Sequence, residues 1–249
     1  MKTLAAGTHA MSVDGVDQLC HVHGEGPVCF VHPGGPGIDW TYLRMPELEQ
    51  FLTVVYLEPV GSGKSGRLKN PDGYTVPTYT RYLAALIEHV AAPSAFVLGH
   101  SHGGFVALEY ALGRPNGLAG LLLYGTAAHN GADFNDEVDR NAASFPARHR
   151  NRPEAKAALS AFEQGGDFDS QFPLYLHDYW RDEEASVRYR KLFDLSPVSS
   201  GGYSFDVRAD LGRISVPVLA LTGRHDHVCG PRWTHELGAS IPDATEVVL

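Results

Sequence analysis

One serine in this chain is set up to do chemistry. In "VLGHSHGG" Ser101 stands between Gly99 and Gly103, each two positions away. The apolar run "AFVL" leads in, and the helix-like "GGFVALEYAL" leads out. A G-x-S-x-G pattern at a strand-to-helix junction turns the backbone sharply and lifts the hydroxyl clear of a sheet, with the glycines relieving the crowding. Such a serine is a nucleophile toward an acyl carbon. The oxygen that becomes charged then needs donors: the N–H of the following residue, His102, and a second N–H from a loop after an earlier strand. "VCFVHPGGPGID" supplies that loop, with Gly35 the expected donor and Gly34 and Pro36 bordering the substrate. A carboxylate to orient a base is expected after a late strand. Asp226, in "VLALTGRHDHV", fits; Asp206, Asp210 and Asp243 follow no strand end.

The elements needed to hold these residues are legible. "THAMSV", a turn at Asp14-Gly15 and "QLCHVHG" read as a hairpin, and "PVCFVHP" and "FLTVVYLEP" as more buried strands. The strand bearing His21 and His23 reads as an edge strand. Then "TYTRYLAALIEHVAA" has helical spacing, and "GLAGLLLYGT", "PVLALTGRHD" and "ATEVVL" read as further strands, with "PRWTHELGASIP" a helix between the last two. Alternating strands and helices predict a mostly parallel sheet covered on both faces. Residues 127–210 are polar with scattered aromatics and helix-like pieces such as "RPEAKAALSAFEQG". They predict a helical lid inserted between a core made of 1–126 and 211–249. Most lid aromatics are expected to pack the lid on the core, and acids such as Glu163, Asp169, Asp178 and Glu184 to form a solvated face.

Composition narrows the partners. Among 249 residues the formal net charge is −9, and no Lys/Arg cluster offers a face to nucleic acid. No apolar run reaches the ~20 residues of a membrane span. The first residues carry one lysine and no apolar core, and Cys20, Cys29 and Cys229 stand apart as reduced thiols with Cys29 in the core, so a cytoplasmic protein with a small-molecule substrate is expected. "GSGKSG" fails as a phosphate loop, because Glu58 occupies the position of its first glycine. The pairs His21/His23, His100/His102 and His225/His227 do not make a complete ligand set, so neither metal nor cofactor is expected.

Taken together, "HPGGPG", "YLEPVGSGKSG", "GHSHGG" and "GRHDHV" resemble the α/β-hydrolase superfamily, and the glycine-proline loop is similar to that of proline iminopeptidases. The resemblance runs from about residue 12 to the end and is weakest through the lid. It implies an α/β-hydrolase fold and an acyl-enzyme mechanism on an ester, lactone, thioester or amide. This chain has "HPGGPG" where those peptidases read HGGPG, and "LEPVGSGKS" where they read DQRGxGxS, so the resemblance implies serine chemistry more than proline specificity. The alternatives are a proline iminopeptidase-type aminopeptidase or a non-hydrolytic protein that uses the pocket for ligand binding or rearrangement. The resemblance also implies a base from a loop after the final strand. His100 and His102 share the tight backbone of Ser101, His32 belongs to the oxyanion loop, and His225 and His227 flank Asp226 too closely. The catalytic histidine is therefore expected beyond Leu249.

Overall fold

The computed structural model describes residues 5–198 and 204–249. Eight strands form one sheet in the order β1-β2-β4-β3-β5-β6-β7-β8. β1 (Gly7–Val13) and β2 (Val16–His23) form an antiparallel hairpin. Its turn uses Asp14 and Gly15, both at positive φ, the conformation that matches a tight hairpin to the strand twist. β2 also pairs antiparallel with β4 (Thr53–Glu58), so His21 and His23 lie on an interior strand and the edge is β1. The hairpin hides this from a local reading, because either of its strands could take the inner place.

From β4 onward all pairing is parallel, through β3 (Val28–His32), β5 (Ala95–His100), β6 (Leu118–Tyr124), β7 (Val218–Thr222) and β8 (Ala244–Val248). β4 is buried along its whole length, as a strand covered on both faces must be. α1 (Val76–Val90) starts at Thr75, whose hydroxyl accepts the Thr78 N–H, with Pro77 in its first turn. α2 (His102–Leu112) is buried on nearly every side, which explains its run of Gly, Ala, Val and Leu.

Between β6 and β7 lie α3 (Ala132–Arg148), α4 (Pro153–Glu163), α5 (Phe168–Gln171) and α6 (Glu183–Arg190). Ala142, Phe145, Ala155, Ala158 and Leu174 make a small core of their own there. α7 (Pro231–Ser240) then buries Trp233 against His129 and Phe134. No described helix is long and apolar enough to cross a membrane.

Two stretches read as decoys have structural work. The carboxylate of Glu58 accepts the backbone N–H groups of Lys64 and Ser65 and pairs with His21 Nε2 at 2.8 Å. The loop amides that would cradle a phosphate in a nucleotide-binding loop are thus taken by a carboxylate of the same chain. His21 in turn stacks on Trp40, with ring centroids 4.4 Å apart. Cys20, Cys29 and Cys229 are buried free thiols, and burial pushes Cys20 up to about 11.

Candidate active site

Ser101 has φ 52° and ψ −120°. A non-glycine residue in that region is strained, and strain of this kind persists only where the surroundings over-determine it. Here they do. The Ser101 N–H donates to the Tyr124 carbonyl at 3.0 Å, and the Ser101 carbonyl accepts from the Gly104 N–H and the Thr126 hydroxyl, each at 2.8 Å. A Cβ at Gly99 would overlap the Gly103 carbonyl, and one at Gly103 would overlap the His32 and Pro33 carbonyl oxygens. The glycines therefore let three backbones, β5, α2 and the loop after β3, approach more closely than any side chain permits.

The loop after β3 lies against the serine. A Cβ at Gly34 would stand 3.4 Å from Ser101 Cβ, 3.3 Å from His100 Nδ1 and 3.2 Å from the Tyr42 hydroxyl. The Gly34 N–H is already used, donating to the Tyr42 oxygen at 2.8 Å. Gly35 sits at φ +123°, a conformation that favours glycine. The stretch beyond it is laced to the segment following α6: the Asp39 N–H donates to the Asp194 carbonyl at 3.0 Å, and the Ser196 N–H to the Gly37 carbonyl at 2.8 Å.

Asp226 follows β7. One carboxylate oxygen accepts the N–H groups of Val228 at 2.9 Å and Cys229 at 2.8 Å. The other lies 3.2 Å from where a Cβ of Gly125 would be. Burial raises its pKa, and the two N–H donors pull the other way. Asp206 and Asp210 are instead spent on Arg208 and Arg213.

A cavity of about 740 Å³ has His100, the residue before Ser101, and Asp226 in its wall, with Tyr42, Tyr124, Tyr175, Tyr189, Phe172 and Phe193 among its lining. Four of these aromatics come from residues 127–210, while Phe134 and Phe145 of the same stretch pack elsewhere, against Trp233 and Trp180. Which aromatics face the cavity depends on how short helices dock, and no local spacing reveals it. Acids of the stretch have partners of their own: Asp169 meets Arg190 at 2.6 Å, and Glu184 meets Arg188 at 2.6 Å.

Histidines surround the elbow in distinct roles. His100 Nδ1 lies 2.6 Å from the Tyr42 hydroxyl. His102 turns its ring away, edge-on to Tyr79 at 5.2 Å and near His32 at 6.3 Å. His32 Nδ1 is 2.9 Å from the Pro33 carbonyl. His225 stacks on His177, with centroids 4.8 Å apart. Burial lowers His32 and His100 to about 4 and His102 to about 3, so all three are neutral near pH 7. Among the described residues no histidine is hydrogen-bonded to both Ser101 and Asp226. Sequence reasoning missed Tyr42, because nothing local marks a tyrosine that must reach back across the fold to the elbow.

A family model described as alpha/beta hydrolase fold matches residues 26–249. A protein named proline iminopeptidase from Lactobacillus crispatus is 24% identical over 245 residues, covering 83% of this chain and 80% of its own. Among solved structures, a proline iminopeptidase-related protein from Thermus thermophilus matches with a TM-score of 0.77 at 22% identity, over 99% of this chain and 89% of its own. The enol-lactonase from Burkholderia xenovorans matches with a TM-score of 0.72 at 21% identity, over 97% and 91%.

Proposed function

Because the chain belongs to the α/β-hydrolase fold family, we propose that it is a serine hydrolase acting on a small ester, lactone, thioester or amide through an acyl-enzyme. Ser101 attacks the carbonyl carbon, and the oxyanion is held by the backbone N–H groups of His102 and Gly35. The observation that carries this reading is the strained Ser101 backbone, at φ 52° and ψ −120°, with the Gly34–Gly35 loop pressed against it. Gly35 is preferred as the second donor because the Gly34 N–H is engaged by Tyr42. Asp226 orients the general base and stabilises it when charged. Water then releases the acyl group. Residues 127–210 act as a lid whose aromatics wall the acyl pocket.

Relatives named proline iminopeptidase raise a peptidase reading, which would need a free acid to hold a substrate amine. Among the described residues the one acid in the cavity wall is Asp226, assigned here to the base, which favours esters instead. Labelling by a fluorophosphonate probe tests the serine mechanism: wild-type protein should be modified at Ser101 and the Ser101→Ala variant should not. Turnover that survives unchanged in Ser101→Ala would discard the mechanism.

A further inference from the structure

The Tyr42 hydroxyl, buried in the wall between the oxyanion loop and the elbow, has two polar neighbours. Gly34 donates its N–H to the phenol oxygen at 2.8 Å. A phenol has one proton to give, and the remaining neighbour, 2.6 Å away, is His100 Nδ1. The arrangement that gives the buried phenol proton an acceptor runs in one direction: Gly34 N–H to Tyr42 oxygen, Tyr42 O–H to His100 Nδ1. A neutral imidazole that accepts at Nδ1 carries its proton at Nε2. Burial keeps this ring neutral, its pKa lowered to about 4.

Nε2 lies on the opposite edge of the ring, 3.7 Å from where a Cβ of Gly125 would stand, and Asp226 Oδ2 is 3.2 Å from that same point. His100 belongs to the cavity wall. Among the described residues no acceptor is paired with Nε2. With no side chain at Gly125, this edge and Asp226 Oδ2 border the same small space.

We propose that His100 is a specificity-determining residue, a neutral imidazole locked as its Nε2–H tautomer by Tyr42, which donates a hydrogen bond to a ketone oxygen on the acyl chain of the substrate. The ligand is neutral because a carboxylate at that place would meet the Asp226 charge. Its remaining surface is apolar, to suit the walls of Tyr124, Tyr189, Phe172 and Phe193. Only the kinetic consequence rests on the serine-hydrolase reading; tautomer and binding preference do not.

Two measurements decide it. First, nitrogen-15 NMR of the imidazoles at pH 7 should show His100 protonated at Nε2 alone in the wild type, and a mixture of tautomers in Tyr42→Phe. A proton on Nδ1 in the wild type overturns the proposal. Second, 4-phenylbutan-2-one should bind more tightly than n-butylbenzene by more than their difference in hydrophobic transfer. His100→Leu should remove about three- to tenfold of that preference, the usual worth of one net hydrogen bond, and His100→Gln should restore part of it.

On the kinetic side, the kcat/KM ratio of 4-nitrophenyl 5-oxohexanoate to 4-nitrophenyl hexanoate should fall by a similar factor in His100→Leu, the hexanoate correcting for general damage to the site. A ketone preference in binding that vanishes in His100→Leu, without any ester turnover in the wild type, would support the donor and refute the hydrolase. Ester turnover with the same ketone-to-alkyl ratio in wild type and His100→Leu would overturn the donor. Should His100→Leu fail to fold, wild-type tautomer and wild-type binding preference still decide.

Discussion

Acidification should unfold this protein in a window set by the histidines around the elbow. His32, His100 and His102 are held neutral by burial, with pKa values of about 4, 4 and 3 in place of 6.5. A group whose folded pKa is lowered in this way costs nothing above 6.5, where both states are neutral. Below 6.5 the unfolded chain takes up a proton that the folded chain refuses, so stability falls until the folded pKa is reached. At pH 5 the unfolded imidazole is favoured by about 1.5 powers of ten, or about 2 kcal/mol per histidine at 1.36 kcal/mol each. Three such groups approach about 6 kcal/mol, against a total stability of roughly 5–15 kcal/mol for a typical domain. His102 also feels His32, which trims the sum, and His227, lowered to about 4 by burial, adds a fourth group of the same sign.

Carboxylates held low by partners, such as Asp206 at about 2, lose their contribution only below the unfolded value of 3.8 and are silent in this window. Asp226 has the opposite sign: its raised pKa disfavours the fold as pH climbs past 3.8, so acidification relieves it. Urea unfolding followed by tryptophan fluorescence, with Trp233 buried as a reporter, should therefore lose several kcal/mol between pH 7 and pH 5. His102→Leu should flatten that slope by about a quarter, since His32, His100 and His227 remain. A loss below about 1 kcal/mol in the wild type would show that the elbow histidines accept protons in the folded state, and the reasoning would fail.

Gly35→Val should displace the proposed oxyanion donor and lower kcat by ~10²–10³, while a folded variant with full activity would remove this residue from the site. Gly103→Ala should destabilise the protein by several kcal/mol in a melting experiment, because its Cβ would overlap the His32 and Pro33 carbonyl oxygens, which are backbone and cannot swing aside. Short 4-nitrophenyl esters should exceed proline p-nitroanilide in kcat/KM; the reverse ranking would restore an aminopeptidase.

Much of the candidate site's backbone is readable from local patterns. A strand, a sharp turn and a helix impose their own residue types, so Gly99, Ser101 and Gly103 announce the elbow wherever it lies in the fold. The same holds for the buried β-branched residues of β4 and for the Asp14-Gly15 turn. Periodicity cannot say which strand of a hairpin pairs inward. For that reason His21 and His23, expected on an edge, turned out to lie on β2, between β1 and β4.

Local sequence carries the alternation of strands and helices, the glycine-flanked serine at a strand-to-helix turn and a glycine-rich loop after a strand, since each is written within a few residues; the strain at Ser101 is held from afar, by Tyr124 and Thr126. Only the tertiary structure decided that Tyr42 joins Gly34 to His100, that the Glu58 carboxylate fills the "GSGKSG" loop, and which aromatics of residues 127–210 face the cavity. Those facts depend on directional contacts between residues far apart in the chain. A hydrogen bond acts over about 3 Å and needs alignment, so no spacing along the sequence encodes it until the sheet has brought both ends together.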